Sequence, residues 1–306
     1  MTVEMETVRV AVVGAGLMGC GIAHVFAAAG NNVRLYDSDP GALRMVRSRI
    51  DAGVVELGGS EQIIDLIEPV SSLDAAVGGA DVVVEAVIED LAVKRQVFAA
   101  LDELAPPSAL LATNTSVISI SAIAESTSRP ERLLGTHWWN PAPLIPLVEV
   151  VPGAHTAPEA VERMVSLLSA VGKRPVRLKR DVPGFIGNRM QHALWREAFA
   201  IVEAGIAEPE DVDEVVKASF GARLAVLGPI ENADLVGLDM TKAIHDYLLP
   251  HLDAGVSASR IVSDRVAQGE LGMKTGRGLR SWTAEEADAV RARLVRHLRR
   301  ASIGGQ

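Results

Sequence analysis

Short apolar runs alternate with amphipathic stretches over roughly the first 180 residues, and after that the strand-like runs stop. Residues 8–13 (VRVAVV) predict a buried strand that enters a glycine turn, and the alanine-rich segment on to residue 29 predicts a helix. A second strand is predicted at 32–36, ending at Asp37. Residues 40–53 carry a helical pattern, and the acidic, glycine-bearing segment on to 79 predicts short helices and turns. Further strands are predicted at 81–86 and 109–113, with a crossover helix at 91–104 between them. The stretch 137–149 (HWWNPAPLIPLVE) contains three prolines, each of which fixes φ and removes an amide donor, so it predicts a strand end, a rigid loop and a second strand. That strand, 146–151 (PLVEVV), is apolar except for Glu149. An amphipathic helix at 158–171 and a last strand at 175–178 precede Asp181-Val182-Pro183-Gly184, which breaks the pattern. Beyond it the predicted elements are helices, at 185–204, 209–219, 235–249, 257–268 and 284–300.

Strand alternating with helix predicts an α/β fold with a doubly wound, mostly parallel sheet, whose ligands bind beyond the carboxyl ends of the strands. The all-helical remainder predicts a second domain, with the division between residues 1–182 and 183–306. Its wide apolar faces and few glycines make it a candidate dimer surface. Two domains are what 306 residues predict. No apolar run approaches the ~18 residues of a membrane span, and the first ten residues are acidic where a signal peptide is basic; the expected location is the cytoplasm. A net charge of -9 argues against nucleic acid as a partner, and the arginines at 291–300 read as the solvated face of the last helix. The single cysteine, Cys20, excludes an internal disulfide and reads as a packed thiol.

The turn after the first strand is GAGLMG, residues 14–19. In a strand-turn-helix context, Gly14 permits the tight turn, Gly16 lets a pyrophosphate approach, and Gly19 lets helix and strand pack closely. The amides of Leu17 and Met18 then stand at the helix start. Asp37 sits where a carboxylate accepts from both hydroxyls of the adenosine ribose and repels a 2′-phosphate, a repulsion that Arg44 is in principle able to offset, so the cofactor expected of this Rossmann-type domain is NAD. Glu89 and Lys94 flank the start of the crossover helix, within reach of a nicotinamide ribose or as a surface ion pair. Asn114 and Ser116 follow a strand end; Ser119 or Ser121 caps the next helix. His137 and Glu149 flank the proline loop. A carboxylate accepting from one imidazole nitrogen fixes the tautomer and leaves the other as a base; alternatively the histidine is structural and the glutamate pairs elsewhere.

Taken together, VGAGLMG, VVVEAVIEDLAVK, NTS at 114–116, HWWNPAPLIPLVEVV and DVPGFIGNRM at 181–190 resemble the 3-hydroxyacyl-CoA dehydrogenase family over essentially the whole chain. The resemblance implies NAD-dependent oxidation of an L-3-hydroxy group to a 3-oxo group and a helical domain that forms a homodimer. It further implies that His137 is the general base, Glu149 its orienting partner, and Ser116 and Asn188 hydrogen-bond donors to the substrate oxygen. Asp37, Glu89, Lys94 and Asn114 fall on cofactor positions.

The chain departs from the acyl-CoA members of that family. No Lys or Arg occurs between Arg49 and Lys94, where those members carry a lysine-bearing helical excursion that holds the CoA phosphates. The segment 221–229 (GARLAVLGP) resembles the branch containing lambda-crystallin, L-gulonate 3-dehydrogenase, carnitine dehydrogenase and a pyridoxine-degradation dehydrogenase. Arg223 there is either a two-point contact for a substrate carboxylate or a surface or interface arginine. The tail at 272–282, GMKTGRGLRSW, is similar to that of hydroxybutyryl-CoA enzymes. Trp138 and Trp139 occupy positions where the family commonly has smaller or phenylalanine side chains, so an indole, Trp138 foremost, walls the substrate pocket or simply packs. Trp195 reads as a core residue. The resulting expectation is a dehydrogenase of a compact 3-hydroxycarboxylate or related polar alcohol. The alternatives are a 3-hydroxybutyryl-CoA dehydrogenase of fatty-acid metabolism and a non-catalytic, crystallin-like NAD-binding protein.

Overall fold

A computed structural model describes residues 7–57 and 62–303 of the chain; the acidic first six residues and residues 58–61, part of the segment expected to form short helices and turns, lie outside the described residues. Eight strands form one sheet: β1 (Arg9–Val13), β2 (Asn32–Tyr36), β3 (Ile67–Val70), β4 (Val82–Glu85), β5 (Leu110–Thr113), β6 (Leu133–Trp138), β7 (Leu147–Pro152) and β8 (Arg174–Arg177). Their order is β3-β2-β1-β4-β5-β6-β7-β8. Each neighbouring pair is parallel except β6 and β7, which the proline loop joins as an antiparallel pair. The order reverses between β1 and β4, and in open parallel sheets a dinucleotide lies across such a reversal.

The central strands are buried on both faces, which is why they read as unbroken apolar runs. One face packs on α1 (Leu17–Ala28) and the helix Pro158–Ala170 through Ile22, Phe26, Met164 and Leu168. The other packs on the helices Leu91–Leu104 and Ile120–Ala124 through Phe98, Leu101, Ile120 and Ile123. β3 was expected as turn and is a strand. Its sequence IEPV exposes Glu68 and Pro69 because it lies at the sheet edge, where a proline is tolerated without breaking the ladder.

Contact density divides the chain into two compact units. The first runs to Asn188 and takes back the chain end from Leu294; the second is Arg189–Arg293. Within the second, the helix expected at 235–249 is two, Pro229–Val236 and Leu238–Leu248, separated by Gly237 at φ +100°. The helices Pro209–Ala218, Pro229–Val236 and Leu238–Leu248 bury no residue in the single chain. Trp195, expected in the core, is 43% exposed and packs edge-on against His192 instead. No helix among the described residues is long and apolar enough to cross a membrane.

The helix Leu91–Leu104 buries Lys94, Phe98, Leu101 and Asp102, a stripe at helical spacing that includes two charged residues. Asp102 accepts from the Ser128 amide at 2.8 Å, the Ser128 hydroxyl at 2.6 Å and Arg132 Nη2 at 2.8 Å. Burial by itself raises the Asp102 carboxyl, but the Ser128 and Arg132 hydrogen bonds outweigh it and leave the group at about 2. A folded-state value below the ordinary one means that this site stabilises the fold above pH ~4 and loses its effect as the pH falls towards 2. Asp102→Asn, which mimics the protonated acid, is expected to lower unfolding free energy at pH 7 by about 2–3 kcal/mol. In urea titrations the gap to the wild type should close between pH 4 and pH 2; an unchanged gap over that range contradicts the assignment.

Candidate active site

The antiparallel register of β6 and β7 sets His137 directly opposite Glu149. Their side chains meet at 2.7 Å, Nδ1 to Oε2, and both residues are buried, 4% and 1% exposed. The second carboxylate oxygen, Oε1, accepts from the backbone amides of Ile186 at 2.9 Å and Gly187 at 3.0 Å. Burial by itself raises the Glu149 carboxyl, yet the hydrogen bonds from His137 and from the two amides outweigh it and hold the group below its ordinary value. An ionised carboxylate only accepts, so Nδ1 of His137 carries the proton. Nε2 has no partner among the described residues, and the ring is held between the rings of Trp139, 5.1 Å away, and Phe185, 5.5 Å away. The arrangement is an imidazole held through Nδ1–H, with Nε2 free.

Beside it, Asn188 Nδ2 donates to the Ser116 carbonyl at 3.1 Å, which brings the amide of the second expected donor against the residue that carries the first. Asn114 follows β5, and its Oδ1 accepts from the Trp138 amide at 3.0 Å, tying the β5 end to the β6 end. Glu89 is partly exposed, and its Oε1 accepts from the Thr115 hydroxyl at 2.6 Å and from the amides of Ser116 and Val117 at 2.8 and 3.1 Å. Burial raises its carboxyl, and the Thr115 hydroxyl, the Lys94 charge and the two amides outweigh that to place it below the ordinary range. Lys94 is 1% exposed; its ammonium is 2.7 Å from Glu85, itself fully buried, and 3.5 Å from Glu89. The surface-pair alternative is therefore replaced by a three-membered network in which Lys94 and Glu85 are buried and Glu89 reaches the surface. Glu85 was missed, although a lone acid ending the run VVVE is the same signal that marked Glu149.

Trp138 does not wall the pocket. Side chains alternate across a strand, so a residue next to His137 points to the opposite face. Its indole is 3% exposed in the core against Phe26, with the Lys173 ammonium 5.6 Å from the ring centre. The indole beside the imidazole is that of Trp139. Arg223 closes the short helix Phe220–Arg223 in the second unit and is exposed.

The first unit also has the form a dinucleotide needs. Gly14 adopts φ +108°, and a Cβ on Gly19 would lie 1.8 Å from the Gly14 carbonyl oxygen, so turn and helix approach as only glycines allow. α1 begins at Gly16 without a side-chain cap, Leu17 is 71% exposed and nothing lies within 4 Å of a Cβ built on Gly16, so the first helix amides face open space. Asp37 directly follows β2, with its Oδ2 accepting from the Ala15 amide at 2.7 Å and its Oδ1 from the Asp39 amide at 2.9 Å. Both oxygens keep lone pairs for ribose hydroxyls. Arg44 is exposed at the end of the helix Pro40–Arg44. Cys20 is buried as expected, its thiol donating to the Ala15 carbonyl and pushed up by burial.

Residues 9–182 match the NAD-binding domain, and residues 184–282 the C-terminal domain, of 3-hydroxyacyl-CoA dehydrogenase. The chain belongs to the 3-hydroxyacyl-CoA dehydrogenase family, NAD-dependent oxidoreductases that act on a CH–OH group. Among relatives, it is 34% identical over 95% of its length to 96% of the 5-formyl-3-hydroxy-2-methylpyridine 4-carboxylate 5-dehydrogenase of Mesorhizobium japonicum. It is 38% identical over 90% of its length to 97% of a probable 3-hydroxybutyryl-CoA dehydrogenase of Bacillus subtilis. Among solved structures, a 5-formyl-3-hydroxy-2-methylpyridine 4-carboxylic acid 5-dehydrogenase, described as an NAD+-dependent dismutase, superposes with a TM-score of 0.90 at 34% identity, covering 96% of this chain and 97% of that one.

Proposed function

We propose that the chain is a cytoplasmic dehydrogenase that oxidises the hydroxyl of a compact, free carboxylate-bearing substrate, such as an L-3-hydroxycarboxylate, with His137 as general base. The observation that carries this reading is the buried His137–Glu149 pair with Nε2 unpartnered. NAD, when bound at the glycine turn, supplies the hydride acceptor. Nε2 takes the hydroxyl proton as hydride leaves the carbinol carbon, and the Glu149 carboxylate stabilises the imidazolium that results. Ser116 and Asn188 polarise the developing carbonyl by donating to its oxygen. Asp37, Glu89, Lys94 and Asn114 hold the cofactor and the loops around it, with Lys94 acting through the Glu85–Glu89 network. The cofactor contacts of Gly14, Gly16, Leu17, Met18 and Gly19 are those of an uncapped helix start.

The free-acid preference rests on the acidic stretch between Arg49 and Lys94 and on the 0.90 superposition with an enzyme named for a pyridine carboxylate. Arg223 then pairs with the substrate carboxylate. The 38% identity to a probable 3-hydroxybutyryl-CoA dehydrogenase favours a second reading, in which the substrate is that thioester. We further propose a homodimer through the helical unit. There Ile206, Val215, Val226, Ile230, Leu235 and Leu238 are each at least 64% exposed in the single chain, large apolar side chains that a subunit interface would cover.

NADH formation, followed at 340 nm over free 3-hydroxy acids, pyridine carboxylates and L-3-hydroxybutyryl-CoA, separates the two substrates. Turnover is expected on a free acid, with Arg223→Ala raising its KM by at least about tenfold. Turnover confined to the thioester, or an Arg223→Ala variant with unchanged KM for the acid, contradicts the proposal. Sedimentation velocity at micromolar concentration should give a dimer that Leu238→Asp dissociates; a monomeric wild type contradicts the proposed assembly.

A further inference from the structure

The loop that separates His137 from Glu149 is poor in its own hydrogen-bond donors, because Pro141, Pro143 and Pro146 have no amide N–H. Its carbonyls therefore need a donor from elsewhere. Lys173, 8% exposed just ahead of β8, provides one: its Nζ donates to the Ala142 carbonyl at 2.5 Å and to the Ile145 carbonyl at 3.0 Å. The same ammonium lies 5.6 Å from the ring centre of Trp138, the residue after His137. No carboxylate is paired with it among the described residues. On the α1 side Ala142 is buried in the core beside Gly21, and residues 140–144 also border a cavity of about 280 Å³ lined by Leu17, His24, Ile50 and Val295. Burial lowers Lys173 to about 8, and the charge of Lys173, after burial, lowers His24 on α1, which keeps that imidazole neutral.

A buried ammonium with no counter-ion is a costly way to fill a core position, and a methionine of similar length would pack there without that cost. What the methionine cannot do is donate to the Ala142 and Ile145 carbonyls, because the loop's own Leu144 and Ile145 amides are both turned to Pro141. We propose that Lys173 is a positioning residue for the reaction: by tethering the Ala142 and Ile145 carbonyls it fixes the loop that sets His137 opposite Glu149. Lys173 contacts neither reacting atom; it acts through the β6–β7 register. The proposal rests on the reading of His137 and Glu149 as base and partner.

The test is Lys173→Met in the intact chain, with two readouts. The first is the division between kcat and KM. A loosened register should lower kcat by about ten- to a hundredfold and leave the KM for NAD within about twofold, because the glycine turn is held by β1 and α1. The second is the downfield proton resonance of the His137 Nδ1–H···Glu149 bond, which should be sharp in the wild type and broadened or shifted in the variant at the same temperature. Lys173→Arg, which keeps the charge and the donors, should recover most of the kcat. Should Lys173→Met fail to fold, the same readouts in Lys173→Gln, which keeps one donor, decide the matter. A folded variant with kcat within about twofold of wild type and an unaltered resonance overturns the proposal. The resonance is read without turnover, so its persistence in the variant removes the role of Lys173 alone, whereas a wild type that lacks it removes the base pair on which the proposal rests.

Discussion

The site depends on one exception in the sheet. Six of the eight strands, β1 to β6, run one way and β7 and β8 the other, so β6 and β7 form the single antiparallel pair, and that pairing places His137 and Glu149 directly across from each other. A parallel partner would arrive through a long crossover and offer a slanted register. A slip of one residue in the hairpin would carry the glutamate to the opposite face, among Trp138, Phe26 and the helix Pro158–Ala170. The chain makes the slip difficult on three sides. The proline loop restricts backbone freedom, the amides of Ile186 and Gly187 hold the far oxygen of the carboxylate, and the ammonium of Lys173 holds the loop.

Around this pair, the buried carboxylates have partners that are close and numerous. Glu85 takes hydrogen bonds from Lys94, Thr113 and the Val87 amide; Asp102 takes them from Ser128 and Arg132; Glu149 takes them from His137 and two amides. Removing one member of such a set leaves the rest desolvated and unpaired, which costs far more than a surface ion pair contributes. The Glu85 network lies at the end of β4 and the start of the helix Leu91–Leu104, so there the groups that stabilise the first unit also order the polar residues at the sheet's carboxyl edge.

Much of this was legible in the amino-acid sequence, for physical reasons that differ by element. Parallel strands buried on both faces read as continuous apolar runs, and the glycine turn reads because only glycine fits Gly14 and Gly19. The inward direction of Glu149 followed from its apolar neighbours. β3 escaped because an edge strand covers one face only and tolerates a proline, and the break at Gly237 escaped because helical periodicity continues through it. Trp138 was misassigned by ignoring strand parity, which alone makes Trp139 the neighbour of His137. Trp195 was placed in the core because an apolar helix face implies a cover, and within the single chain that face has none. The burial of Lys94 and of Lys173 was not legible because nothing local in sequence shows that a lysine is buried; their partners Glu85 and Ala142 lie 9 and 31 residues away.

The central claim is that His137 moves the proton and does nothing to bind the cofactor. Its most direct test is His137→Ala with an identified substrate, reading steady-state turnover beside NADH affinity by fluorescence titration. Turnover reduced by about a thousandfold or more with NADH affinity within about threefold is the expected result. Turnover that stays within a few fold of the wild type contradicts the account.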